Sequence, residues 1–276
     1  MLRCRYVFCS MLILTFLIYN GGFAEDVEGL HGNKITDNSF LIEEAYNQER
    51  GVIQHIQTFR YLEKSENWEY SFTQEWPVPG QRHQLSYTIP VSYLNDPVNE
   101  TNIGDVALNY RYQLLFQEEV ALAPRFSTLL PTGDYKEGFG SGALGYQMNI
   151  PLSLELSGKL VNHWNMGTTI TPGNKETGGA DADTFGYNFG TSLIWLVSEN
   201  FNLLCEAVWN SPESVQVDGA KIRNDMFFIN PGARFAINFE SGLQIVPGIS
   251  FPIGLGPSKN EYGVFLYLSF EHPFFE

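Results

Sequence analysis

The sequence predicts a transmembrane antiparallel up-and-down β-barrel of about twelve strands, and three observations carry that prediction. From Asn67 onward the chain divides into segments of roughly ten residues in which apolar and polar side chains alternate, the length a tilted strand needs to cross a bilayer. The links between these segments alternate short and long, as periplasmic turns and external loops do in such barrels. Trp68, Trp76, Trp164, Trp195 and Trp209 fall in the apolar phase near segment ends, where two interfacial aromatic girdles belong.

In chain order, residues 1–24 read as a secretory signal. Arg3 and Arg5 precede an apolar run from Met11 to Ile18, and small residues up to Ala24 supply a cleavage site. That run is too short to span a membrane as a helix, and no later segment offers a longer one. Residues 25–50 precede the barrel as a periplasmic lead-in or a plug; a lead-in packed at the rim is the preferred reading. Ser39 is placed to cap a short helix reaching Arg50, with Glu43 and Glu44 near its positive end and Gly51 as its stop.

The barrel occupies residues 51–276. Its strands are read at 51–61, 67–76, 82–93, 103–116, 119–130, 142–150, 152–166, 184–197, 201–210, 225–238, 242–251 and 261–270. The clearest is 67–76, with Trp68, Tyr70, Phe72, Gln74 and Trp76 on one phase and Asn67, Glu69, Ser71, Thr73 and Glu75 on the other. The first strand has the least distinct phase. Short links fall at 77–81, 117–118, Ile150–Pro151, 198–200 and 239–241; long ones at 94–102, 131–141, 167–183, 211–224 and 252–260. An even strand count returns both chain ends to the periplasmic side. The up-down order sends Trp68, Trp164 and Trp209 to the outer rim and Trp76 and Trp195 to the inner one. A soluble periplasmic sandwich or lipocalin-like barrel would share the alternation but turn it inside out. Against that reading stand the loop rhythm and Gly104, Gly145, Gly186 and Gly190 in the polar phase, where a narrow lumen selects small residues.

Composition removes several classes. Removing residues 1–24 takes away two bases and no acid, so a formal charge of −15 becomes −17, with 14 bases against 31 acids. That balance excludes a nucleic-acid footprint. Beyond the signal only Cys205 remains, so no disulfide framework holds the chain. His31, His55, His83, His163 and His272 form no metal-binding motif, and no cofactor or metal is expected. The GGADAD stretch at 178–183 lacks the spacing of a calcium loop and reads as a solvated external loop.

With the polar phase turned inward, the lumen receives Glu69, Glu75, Asp105, Glu119, Glu155, Glu206 and Glu261 together with Arg82, Arg111, Arg125, Lys159 and Arg234. Charges held inside a low-dielectric wall must be paired or hydrated, so these form a ladder of ion pairs or a selective constriction. The turn at 77–81 would set Glu75 opposite Arg82. The turn near 117–118 would set Arg111 beside Arg125, two adjacent guanidinium groups suited to a carboxylate or phosphate on a passing solute.

Several strings carry a family resemblance: SFLIEEAYNQE at 39–49, GVIQHI at 51–56, NIGDVALNYRYQL at 102–114, LLPTGD at 129–134, GFGSGALGYQ at 138–147 and LYLSFEHPF at 266–274. Together they resemble the outer-membrane transporter family labelled "MetA-pathway of phenol degradation", across most of the chain after residue 24. The resemblance implies passage of small compounds, aromatic ones among them. The chain ends Phe274, Phe275, Glu276, whereas barrels commonly end on an aromatic residue that the barrel-assembly machinery reads.

The sequence thus reads as a passive outer-membrane channel of a Gram-negative bacterium, without catalytic residues, whose partners are outer-membrane lipids, the assembly machinery and a small solute that is aromatic or anionic. An outer-membrane lipid hydrolase is the rival class. His83, Ser92 and Ser269 are available to it, but no Ser lies two residues from a His in a lipid-facing phase and no G-x-S-x-G elbow appears. An adhesive or structural barrel is the third class.

Overall fold

The computed structural model describes residue 35 and residues 38–96 and 98–274; the signal-peptide reading of residues 1–24 lies outside them. Twelve antiparallel staves, numbered here in chain order, make one closed sheet. They are β1 (Val52–Leu62), β2 (Asn67–Pro77), β3 (His83–Leu94), β4 (Glu100–Ile103, Val106–Tyr112 and Leu115–Phe116) and β5 (Val120–Leu122 and Arg125–Leu130). There follow β6 (Gly145–Ser157), β7 (Leu160–Lys175), β8 (Asp181–Ser198) and β9 (Phe201–Ser211). The last are β10 (Met226–Phe235 and Ile237–Asn238), β11 (Gln244–Ser250 and Ile253–Gly254) and β12 (Gly263–Pro273). Each stave pairs with its chain neighbour, and β1 pairs with β12 from Val52 opposite Pro273 to Leu62 opposite Gly263, which closes the ring. Closure leaves no sheet edge, the condition for strands to cross a bilayer.

The links at 78–82, 117–119, 158–159, 199–200 and 239–243 lie at one end, the turn end, with the start of β1 and the end of β12; the other links, the longest of them 131–144 and 212–225, lie at the loop end. Between β9 and β10 the loop end carries a small hairpin, Glu213–Val215 against Lys221–Arg223.

The apolar phase faces outward. Leu108, Phe126, Met148, Met166, Phe189, Leu193, Trp195 and Leu266 are exposed, whereas Gln54, Asn109, Ser127, Asn149, Ser153, Ser192, Asn230 and Ser269 are buried. A soluble barrel would show the reverse, so the burial pattern is that of a membrane barrel. The indistinct phase of β1 has a visible cause. Apolar Ile56 points inward into a core with Phe40, Ile194, Leu204, Val246, Phe265 and Tyr267, while polar His55 and Gln57 point outward.

Three sequence expectations change. The turn read at Ile150–Pro151 lies instead at 158–159, because β6 continues through Pro151, which pairs with Asn165 of β7. Pro151 accepts from the Ala123 N–H at 3.2 Å and has no N–H to return, so the ladder there is only half made rather than ended. The displaced turn lengthens β7 to Lys175, shrinks the 167–183 loop to 176–180, and puts Trp164 in the inner half of its strand rather than at the outer rim.

The third change concerns the expected helix at 39–50, which does not form. Residues 38–50 run extended, with bends, inside the barrel. Most of their backbone donors go to barrel side chains, as the next subsection shows; Ser39 N–H and Glu44 N–H instead donate within the segment, to the Ile42 carbonyl and to Asn38 Oδ1, both at 3.1 Å. Small residues in the wall admit them: a Cβ on Gly190 would stand 2.5 Å from Ile42 Cδ1, and one on Gly248 would stand 2.5 Å from the Phe40 ring.

The outward apolar belt predicts a one-sided response to charge. Met166→Arg is expected to cost about 2–4 kcal/mol at mid-belt, read by urea titration of folding into phosphatidylcholine vesicles. Thr169→Arg on the lumenal phase of the same strand is expected to shift the midpoint little.

Candidate functional site

The lumen's turn-end half is filled by residues 38–50. They enter beside β1, rise to an apex at Leu41–Glu43, and return toward the turn end, where Ile35 joins the Phe40 core. Most rungs of this path are fixed by side chains on the staves. The Glu206 carboxylate of β9 accepts from the backbone N–H groups of Phe40, Leu41 and Ile42 at 2.9, 2.9 and 3.1 Å, and its other oxygen accepts from Asn230 Nδ2 at 2.7 Å. Three consecutive N–H groups turned toward one oxygen make an anion-binding concavity, here filled by the protein's own carboxylate. Glu43 N–H donates to Asn165, Ala45 N–H to Ser153, Asn47 N–H to Gln113 and Gln48 N–H to Gln84, all at 2.8–2.9 Å.

The two guanidinium groups come together as the alternation and the turn at 117–119 place them, with Arg111 opposite Arg125 in register. Neither is left to a solute. Arg111 donates to Asn47 Oδ1 at 2.9 Å and to the carbonyls of Glu44 and Tyr46 at 3.2 and 2.6 Å. Arg125 grips the Glu43 carboxylate through Nε at 2.9 Å and Nη2 at 2.5 Å, and also donates to Gln147 at 2.9 Å. Arg234 donates to the Asn38 carbonyl. Burial opposes ionisation of Glu43, but the Arg125 charge and hydrogen bond outweigh it with help from the Arg111 charge and Asn149, and the carboxyl is held below its ordinary value of 4.5.

The remaining charged candidates are sorted by height. Glu75 stands opposite Ser86, not Arg82; it accepts from Gln84 Nε2 at 2.5 Å and lies 3.7 Å from Arg111. Arg82 occupies the turn after β2, its carbonyl accepting from Gln113 N–H at 2.8 Å. Glu119 and Lys159 are exposed in turns, outside the lumen, and Glu155 is half-buried at the turn end, its N–H donating to the Glu119 carbonyl at 2.8 Å. Toward the loop end, Glu69 pairs with Arg60 at 2.6 Å, Asp105 takes the backbone of Gly133 and Ser141 at 3.1 and 2.8 Å, and Glu261 takes Lys64 N–H at 2.9 Å. Asp105 and Glu261 therefore hold loops.

Glu43, Gln84, Gln113, Ser153, Asn165 and Asn230 are the participants that sequence reasoning missed. The signal was the run of neutral amides and hydroxyls in the inward phase, which reads as ordinary lumen lining until a second chain segment is placed against it. Ser153 also stands 2.7 Å from His163 Nδ1, but both are buried beneath Ala45, and the serine oxygen already takes the Ala45 N–H.

Above the apex the loop-end half is open. Two cavities of about 480 and 730 Å³ have Leu41 as floor, and a third of about 280 Å³ adjoins them at Leu41 and runs down beside the segment to Glu75, Ser86 and Asn109. Their walls carry hydroxyls and amides, among them Thr58, Ser71, Gln147, Thr169, Asn174 and Asn188, with Arg60 at the side.

Among the described residues no group of three or more His, Cys, Asp or Glu is arranged to hold a metal ion. Asp183 of the GGADAD stretch instead accepts from Gly173 N–H at 2.9 Å.

The architecture is that of a transmembrane barrel of the outer-membrane kind, and solved structures agree. An outer membrane channel from Pseudomonas putida F1 superposes with a TM-score of 0.60 at 12% identity, over 83% of this chain and 97% of that one. The NanC porin superposes with a TM-score of 0.53 at 9% identity, over 80% of this chain and 98% of that one. At these identities the likeness is one of fold. No family model matches the sequence, and no curated protein matches it.

The Glu43–Arg125 contact predicts a pH response of the segment. Because the carboxyl's value is depressed in the folded state, its stabilising contribution is complete above about pH 4.5 and is lost as the pH falls through the depressed value. An environment-sensitive fluorophore on Leu41→Cys, in a Cys205→Ser background, is expected to gain mobility on acidification, and Glu43→Gln is expected to flatten that response.

Proposed function

We propose that the protein is an outer-membrane channel that takes small polar solutes from outside into the loop-end cavity, with residues 38–50 forming a constriction across the periplasmic half of its lumen. Residues 1–24 serve as the export signal in this reading, the outward apolar belt sits in outer-membrane lipid, and the turn end faces the periplasm. The observation that carries the proposal is the polar cavity ending on a floor of Phe40 to Glu43. A purely structural barrel has no need of a hydrated chamber closed by a chain segment hydrogen-bonded to the wall at every second residue or closer.

The lining supports neutral, hydrogen-bonding solutes over anionic ones. The guanidinium groups best placed to hold an anion, Arg111 and Arg125, are saturated by the Glu43 carboxylate and by backbone carbonyls. Selection then rests on the width of the passage and on hydroxyl and amide partners for a solute shedding its water. Passage is driven by the solute's own gradient and uses no cofactor.

Planar-bilayer recording tests this. The chain carrying residues 38–50 is expected to give small or rare steps, and deletion of residues 25–48 to raise unit conductance several-fold. Arg125→Ala is expected to act in the same direction with a smaller effect. Silence of both full-length and deleted forms, with the barrel verified as folded, would sink the channel reading.

A further inference from the structure

The barrel closes where its first and last strands meet, and the outer surface of that seam carries two imidazoles. In the β1–β12 register, His55 stands opposite Phe270 and His272 opposite Ile53, so the two histidines are diagonal neighbours on the outward phase near the turn end. Their Nε2 atoms lie 3.3 Å apart. Their ring centroids are 5.4 Å apart, with planes inclined by 22°. The Phe72 ring stacks on the far side of His55 at 6.1 Å and 21°, which fixes that imidazole's plane.

We propose that His55 and His272 form a metal-binding pair that staples the barrel seam with a late first-row dication such as Zn²⁺, Cu²⁺ or Ni²⁺. The bite is already set. Two metal–nitrogen bonds of about 2.0–2.1 Å meeting at a tetrahedral angle hold their nitrogens about 3.3–3.4 Å apart, the separation found here. The tautomer of one ligand is set as well. His272 Nδ1 lies 3.1 Å from the Pro273 carbonyl, an oxygen that only accepts, so Nδ1 carries the proton and Nε2 keeps its lone pair directed at His55. A backbone carbonyl on the distal ring nitrogen is the usual second partner of a metal-bound histidine.

Without metal, His55 donates its Nε2–H to His272. Binding requires that the His55 proton reside on Nδ1 and that the two rings turn slightly so that their lone pairs converge beside the Nε2–Nε2 line, with both imidazoles neutral and no net proton released. Two nitrogens favour borderline and softer dications over Mg²⁺ and Ca²⁺, which require oxygen ligands. Water completes the coordination at the level where the seam meets the periplasm. The consequence is mechanical: the metal joins residues 217 positions apart, at the one strand pair whose members are not linked by a turn.

The test uses the folded protein in detergent micelles, with Cu²⁺ as spectroscopic probe and Zn²⁺ for stability. Expected are one tightly bound Cu²⁺ per barrel with two-nitrogen hyperfine structure, and a rise of several degrees in the temperature at which compact electrophoretic migration is lost in Zn²⁺ but not in Mg²⁺. His55→Ala and His272→Ala are each expected to abolish both effects, and His83→Ala neither. His55→Phe and His272→Phe keep a ring in the stack should the alanine variants fold poorly. The proposal is overturned if the unaltered protein shows no two-nitrogen copper site, or if binding and the thermal shift persist without either histidine. In that case the pair is a hydrogen bond only.

Discussion

Three backbone N–H groups converge on Glu206, and the arrangement of the lumen follows from that convergence. A chain segment drawn into a barrel leaves water behind, and each of its N–H groups must find a new acceptor or incur the cost of burial without one. Residues 38–50 cannot solve this by forming a sheet, because the closed barrel offers no strand edge. Nor do they solve it by coiling into a helix. They solve it through side chains of the wall, with Glu206 taking three donors and Asn165, Ser153, Gln113 and Gln84 one each. This explains why the turn-end half of the lumen is rich in amides and hydroxyls that are nearly all buried.

The charges obey the same rule. Arg111 has the Glu75 carboxylate at 3.7 Å and is held besides by carbonyl dipoles of the segment, while Arg125 has Glu43 in a two-point grip. Removing one member of such a pair exposes the other to an unpaired burial, so the cost of breaking it exceeds the net worth of making it. The segment therefore attaches by many modest contacts and one strong ionic clamp, with Phe40 seated between Phe265 and Tyr267 at centroid distances of 5.7 and 5.6 Å. Above the clamp the wall lines open cavities.

Much of the barrel was legible in the chain. Alternation identified the inward and outward faces, and the rhythm of links gave twelve strands with both ends on one side. The one misplaced turn shows the limit of that method. Pro151 reads locally as a strand breaker, yet its missing N–H falls at a single point on the ladder with β5, and the strand runs on. The pairing of Arg111 with Arg125 was readable because a short turn fixes register. The pairing of Glu75 was misread because the turn after β2 sets it opposite Ser86.

By itself the sequence determined the wall: period-2 patterning is a local property, since each residue faces lipid or lumen according to its place in its own strand. It could not place residues 38–50, whose backbone N–H acceptors on the wall lie between 36 and 166 positions away and include a carboxylate, several amides and a serine hydroxyl that look like any lumen lining. The local signal there, a serine followed by paired glutamates, favours a helix. What overrode it was the closed ring, which brought Glu206, Asn165, Ser153, Gln113 and Gln84 around one path and offered most of the N–H groups acceptors on the wall. Whether the lumen is open or crossed by its own N-terminal segment was thus a decision of the tertiary structure alone.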